Sequence, residues 1–275
     1  MPVAPAHVLA DMVEAARRAG ALTLDFFHRR ETLAIGVKGP GDFVSLADEE
    51  SERLIREHLL TRYPEWSLSG EELPPVEGSD PDYRFLVDPI DGTTNFLNGL
   101  DYTITIALRR GRETLCGLVY NPVTEEMFTA EKGQGAFLNG RQLAMRDSPD
   151  IGQMVVGTGL PTPNLSFHEG AYARLDQIRA PIGAVRVLGS AANCCAYVAC
   201  GRFTGYFEQT GFVDTAAGIL LVEEAGGIVT DWWGRGPAFF EKSGLLIVAN
   251  PSTHAFLLGH LRQVGRLGEG VRSED

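Results

Sequence analysis

Short apolar runs of strand length alternate with helical segments along almost the whole chain. This alternation limits the fold more than any other feature. Residues 8–28 carry Val8, Met12, Ala15, Ala16, Ala19, Leu22 and Phe26 at helical spacing. Gly39-Pro40-Gly41 marks a flexible loop, and a second helix is predicted from about Ser45 to Arg62 on the stripe Leu54, Ile55 and Leu59. Pro74-Pro75 and the polar run Glu77 to Asp82 read as an exposed loop. Arg84 to Val87 and Thr103 to Ile106 read as strands, the latter bounded by a turn at Gly111. Leu118 to Tyr120 and Met127 to Thr129 read as a pair across Asn121-Pro122, and Asn139-Gly140 as a tight turn. The second half repeats the alternation. Strands are expected at Met154–Val156, Val185–Leu188, Gly205–Glu208 and Leu245–Val248. Helices are expected at 168–179, Ser190–Cys200, Asp214–Ala225 and about 251–264, followed by a frayed tail from Gly268. Such a pattern predicts an α/β fold in layers.

The chain has 275 residues, of which 44% are hydrophobic, enough for one large domain or two intimately packed halves. Pro149 to Gly152 is the best seam, dividing the chain at about 1–150 and 151–275, and no internal repeat is found. The formal net charge of −12 argues against nucleic acid or an anionic membrane as partner. The longest apolar stretches, such as Ala216 to Val222, fall far short of the roughly 20 residues of a membrane span. Asp11, Glu14, Arg17 and Arg18 make the first helix amphipathic and unlike a signal peptide. Cys116, Cys194, Cys195 and Cys200 form no CxxC pair or disulfide framework. Cys194 and Cys195 read as small buried residues, and a reducing cytoplasm is the expected compartment. The six histidines show no zinc spacing, and no GxSxG, GxxxxGK[ST] or GxGxxG motif occurs.

Three acidic clusters stand at strand ends or helix starts, where α/β folds bind ligands: Gly70-Glu71-Glu72, Asp88 to Phe96, and Asp214 to Gly218. Taken singly, each has a plain reading. Asp214 is a helix N-cap, Glu71-Glu72 a solvated loop, and Asp88-Pro89 a turn. The second cluster says more. The apolar strand Phe85-Leu86-Val87 runs into Asp88, and Asp91 follows across a proline bend. Two such carboxylates repel each other, and keeping both charged calls for a cation. Oxygen ligands without His or Cys select a hard ion, Mg²⁺. Gly92-Thr93-Thr94 offers N–H groups at a helix start to a phosphate. The combination points to metal-assisted phosphoryl chemistry.

The string Asp88-Pro89-Ile90-Asp91-Gly92-Thr93-Thr94-Asn95-Phe96 resembles the signature of the inositol monophosphatase family of metal-dependent, lithium-sensitive sugar phosphatases. Lys38, Asp42-Phe43-Val44-Ser45 and Asp48, then Gly70-Glu71-Glu72, Glu131 to Gly140, Leu188 to Ala192 and Asp214 to Gly227 are similar to further family motifs in the same order. The resemblance runs from about Lys38 to Asn250 and implies a layered αβαβα sandwich of the inositol monophosphatase / fructose-bisphosphatase type. It implies that Glu71, Asp88 and the Ile90 carbonyl hold one Mg²⁺, that Asp88, Asp91 and Asp214 hold a second, and that a weaker third ion sits near Glu71. Gly92 and Thr93 would bind the phosphate, and Thr93 with Asp48 would deprotonate the attacking water. Lys38 would close over the phosphate. Gly189, Ser190, Ala191 and Glu208 would face the alcohol.

Two positions depart from the family pattern: Val213 replaces a usual Trp, and Glu208 precedes Asp214 by six residues where seven is usual. Thr94 favours the inositol branch over relatives with Lys there. The expected activity is therefore a Mg²⁺-dependent phosphomonoesterase on a small phosphorylated polyol, with inositol monophosphate leading. Fructose-1,6-bisphosphate and histidinol phosphate are the rival substrates, and the family suggests a homodimer. A catalytically weak interaction protein on the same scaffold is the rival of another class.

Overall fold

The computed structural model describes the backbone of residues 5–30, 35–39, 42–160 and 171–268. Helix α1 (Pro5–His28) leads to a hairpin of β1 (Ile35–Gly39) and β2 (Asp42–Ser45), which runs directly into α2 (Leu46–Arg62). Of the expected loop Gly39-Pro40-Gly41, Gly39 is the last residue of β1, and Pro40 and Gly41 lie outside the described residues.

Strands β3 (Trp66–Gly70), β4 (Asp80–Asp91), β5 (Thr103–Arg110), β6 (Glu113–Asn121), β7 (Glu126–Glu131), β8 (Gly135–Leu138) and β9 (Arg141–Gln142) form one seven-stranded sheet in sequence order. Only the β3–β4 pair in it is parallel. Helix α3 (Thr93–Leu97) interrupts it between β4 and β5. Asn139 and Gly140 both have positive φ, 48° and 79°, and close the predicted two-residue turn.

The second sheet holds β10 (Val155–Thr158), β11 (Ala184–Arg186), β12 (Gly205–Gln209), β13 (Ile228–Asp231) and β14 (Leu245–Ala249) in the order β11-β10-β12-β14-β13. Between these strands run α4 (Ala171–Arg179), α5 (Ala191–Ala199), α6 (Phe212–Glu224) and α7 (Pro237–Ser243), and α8 (Pro251–Gly268) follows. Residues 168–170 of the helix expected at 168–179 and the tail beyond Gly268 lie outside the described residues.

The layers follow from which faces are apolar. On β4, Phe85 and Val87 pack with Met12, Ile55 and Leu59 beneath α1 and α2. Leu86 points the other way, into a cluster with Ala192, Cys195, Ala217 and Leu221. A strand covered on both faces shows a continuous apolar run, which is why this segment is legible. The α5–α6 layer is shared: Leu246 and Val248 of the second sheet close it from below. Ile247 faces outward with Leu257 and Leu261 of α8. The result is αβαβα, as expected.

Small residues make the middle layer thin. Cys194 and Cys195 are buried, as read from the sequence. A Cβ on Gly218 of α6 would lie 2.5 Å from the Cys195 Cβ, so glycine sets the approach of the two helices.

Candidate active site

Three elements bring their ends together. In the parallel pair β3–β4, Gly70 is in register with Val87, so the next residues, Glu71 and Asp88, stand side by side. Helix α6 brings Asp214 from the middle layer. One oxygen each from Glu71, Asp88 and Asp214 lies within 4.8 Å of the others.

A β-bulge places Asp88 and Asp91. Asp88 pairs with Thr105 and Asp91 with Thr103, so three steps on β4 match two on β5. In regular alternation residues three apart face opposite sides of a sheet. The extra residue turns both carboxylates to one side. Pro89 is tolerated because β3 pairs no further than Val87, so no ladder bond is lost there.

Asp91 is held by its neighbours. It accepts from Thr103 Oγ1 at 3.1 Å, from Ala191 N at 3.2 Å, from Ala192 N at 2.8 Å and from Ser190 Oγ. Ser190 is also the N-cap of α5. Asp91 therefore caps a helix of the other half of the chain, and its oxygens are outside the three-carboxylate group. Ser190 and Ala191, expected at the alcohol, direct their hydroxyl and N–H to Asp91. Gly189 has φ +70°, and a Cβ there would meet Asn95 Oδ1 at 3.0 Å.

Asp214 is a correction to its expected place. The N-cap is Gly211 and α6 starts at Phe212, so Asp214 is the third helical residue. From there its carboxylate reaches back to the Gly211 N–H, as a capping-box side chain does.

Gly92 precedes α3 with φ 96°, ψ 47°, a conformation open to glycine. Thr93 Oγ1 lies 3.3 Å from both Asp48 Oδ1 and the Ile90 carbonyl. Asp48, in the first turn of α2, is fully buried. Glu208, on β12, is half-buried and accepts from the Tyr206 hydroxyl at 2.6 Å. Lys38 lies on β1, and its side chain is outside the described residues.

Electrostatics test whether a cation fits. Burial pushes the Asp88 carboxyl well above the usual range, and Glu71, Asp91 and Asp214 push it further. Burial also raises Asp91, against the opposing effect of its four donors. Asp214 is pushed up to about 6, by burial and then by Asp91. Glu208 is pushed up to about 7, again by burial first, with Asp91 and Asp214 adding. Burial is the first cause in each case, and neighbouring carboxylates add to it at Asp88, Asp214 and Glu208. The Thr105 hydroxyl, across the strand pair from Asp88, is buried without a hydrogen-bond partner among the described residues. An all-oxygen donor set with clustered negative charge fits a hard divalent cation.

A second acidic group, Asp11, Glu14 and His58, differs. Arg62 pairs with Asp11 at 3.1 Å and Glu14 at 3.4 Å, Arg18 donates to His58 Nδ1 at 3.0 Å, and Tyr63 donates to Asp11 at 2.6 Å. These contacts tie α1 to α2.

Two contributors escaped the sequence reading. Asn95 donates to the Leu188 carbonyl at 2.6 Å and to Asp101 O at 2.9 Å, joining the two halves beside the site. Its position inside the nine-residue string was the available signal. Tyr206, which orients Glu208, carried none.

The family model for the inositol monophosphatase family matches residues 5–266. The chain belongs to that family. An inositol-1-monophosphatase of Rhizobium meliloti (strain 1021) is 40% identical over 241 residues, 87% of this chain and 90% of its own. A Nus factor SuhB of Pasteurella multocida (strain Pm70) is 37% identical, over 87% of this chain and 90% of its own. The crystal structure of the extragenic suppressor protein suhB from Bartonella henselae superposes with a TM-score of 0.89 at 36% identity. The match covers 93% of this chain and 98% of that one. The fold is thus of the inositol monophosphatase type.

Proposed function

We propose that the chain is a Mg²⁺-dependent phosphomonoesterase for a small phosphorylated polyol, with inositol monophosphate the leading substrate. The observation that carries this is the convergence of Glu71, Asp88 and Asp214 oxygens within 4.8 Å. The relative named inositol-1-monophosphatase supports the choice of substrate. Glu71, Asp88, Asp91, Asp214 and the Ile90 carbonyl are the proposed ligands. Mg²⁺ bound there would polarise phosphoryl oxygens and make water a stronger acid.

The chain's own groups do the rest. Gly92 and Thr93 offer N–H groups to the phosphate. The Thr93 hydroxyl, 3.3 Å from Asp48 Oδ1, gives a proton of the attacking water a route to a buried carboxylate. Glu208 accepts from a substrate hydroxyl, and Gly189, Ser190 and Ala191 form the wall beside it. Lys38 closes over the phosphate. The chain works as one phosphatase domain, in the cytoplasm, as a homodimer.

The test is a panel of inositol 1-phosphate, fructose 1,6-bisphosphate, histidinol phosphate and an aryl phosphate, compared by kcat/KM with and without Mg²⁺. Inositol phosphate should lead. Hydrolysis that ignores Mg²⁺ would refute the reading, and a different leader would replace the substrate.

The relative named Nus factor supports a second reading, that the same scaffold also serves as a binding partner. An Asp88→Asn variant that has lost hydrolysis but retains a partner would separate the two roles.

A further inference from the structure

The loop that presents Glu71 is gripped from beneath by two side chains one helical turn apart on α2. Glu52 is fully buried and Arg56 nearly so, and the Arg56 Nε donates to Glu52 Oε1 at 2.7 Å. Glu52 Oε2 accepts from the Glu72 N–H at 2.7 Å, and the Leu73 N–H approaches both Glu52 oxygens at 3.4 Å. Arg56 in turn donates to Leu73 O at 2.8 Å and to Pro74 O at 2.7 Å. Gly70 lies directly over the carboxylate: a Cβ there would stand 2.0 Å from Glu52 Oε1. Each ion thus saturates its bonding on the other and on the backbone of residues 72–74, which offsets the cost of burying both.

We propose that Glu52 and Arg56 are positioning residues that fix the backbone on either side of Glu71 and so set the affinity of the carboxylate group for Mg²⁺. The inference rests on the reading of Glu71 and Asp88 as metal ligands. Neither residue reaches the three-carboxylate cluster itself. Both act through the loop, as partners that orient a ligand do.

The experiment uses the full chain as wild type, Arg56→Met, Arg56→Lys, Glu52→Gln and Asp88→Asn. Mg²⁺ binding is followed by calorimetric titration, and the exchange of the Glu72 and Leu73 amides by hydrogen–deuterium exchange. Arg56→Met should weaken Mg²⁺ binding about tenfold or more. It should also speed exchange at both amides, while kcat recovers to the wild-type level at saturating Mg²⁺. Arg56→Lys, which keeps the charge and part of the donor set, should restore part of the affinity. Glu52→Gln serves where Arg56→Met fails to fold, and should show the same loss. An unchanged Mg²⁺ dissociation constant in Arg56→Met and Glu52→Gln, with binding abolished in Asp88→Asn, would overturn the positioning role alone. Unchanged binding in Asp88→Asn would overturn the metal reading and this inference with it.

Discussion

Asp88 is the residue on which the site depends most. Its burial is tolerable because Ile90 N–H donates to it at 3.0 Å, yet three other carboxylates still act on it. Asp88→Asn removes a negative charge without changing the shape of the side chain. It should lower Mg²⁺-dependent turnover about a hundredfold or more, the upper range of effects seen even for groups one step from a metal. Asp214→Asn should do the same. Both variants should melt no lower than the metal-free wild type, because repulsion is relieved. Wild-type turnover in either variant at moderate Mg²⁺ would sink the assignment. Glu208 calls for a different test. Its Oε2 is engaged by Tyr206. Glu208→Gln should raise KM for inositol phosphate by the equivalent of about 1 kcal/mol, the difference between a charged and a neutral acceptor. An aryl phosphate without those hydroxyls should respond little. Equal responses from both substrates would show that Glu208 does not read the alcohol.

Among the elements, the α5–α6 crossing leaves no slack. Gly218→Ala would push a methyl against Cys195, which is itself fully buried. The variant should lose about 1–3 kcal/mol of stability, measured by urea denaturation, as overpacked cores do. No loss would mean that the two helices can part freely. This crossing also shows what sequence can and cannot tell. The Ala-rich, apolar segments were legible as helices, and Cys194 and Cys195 as buried. The partner of each helix was not, because small residues pack equally well on a sheet or on a helix. The strand predicted at 84–87 extends to Asp80–Asp91. Its second half was hidden because a bulge, a proline and two aspartates break the period-2 signal. β3, Trp66-Ser67-Leu68-Ser69-Gly70, alternates apolar and polar residues but is only five residues long and ends in glycine, so its signal is short; Ser67 is buried and its hydroxyl accepts from the Gly78 N–H. The acidic clusters stand out in the sequence at strand ends and a helix start, and the structure brings Glu71, Asp88 and Asp214 together. Helices with strong start signals still shifted: α6 begins two residues before Asp214, since a residue at the third position can cap by reaching back.

For the whole molecule, the buried carboxylates make stability depend on pH and on cations. The folded chain holds Asp214 up at about 6 and Glu208 at about 7, where unfolded carboxylates titrate near their ordinary values. Between pH about 4 and about 7 the folded state binds more protons than the unfolded one, so stability falls as pH rises. Glu126 and Glu241 work the other way. Hydrogen bonds from Arg202 and Arg109 hold them low, and their contribution is lost only as pH falls below the ordinary carboxylate range. The metal-free protein should therefore lose Tm through that window. Mg²⁺ should raise Tm more near pH 7 than near pH 5, because protons and the cation compete for the same oxygens. An equal Mg²⁺ shift at both pH values would contradict this. The chain order of the site has one more consequence. Asp88 lies on the first sheet and Glu71 on the loop just after its strand β3, while Asp214 and the α5 N-terminus that orders Asp91 come from segments made much later. A chain still emerging from the ribosome holds only part of the cage until α6 has been synthesised and docked. On the proposed function, cation capture then waits for the second half of the chain, and a product truncated before α6 should bind no Mg²⁺ in a calorimetric titration.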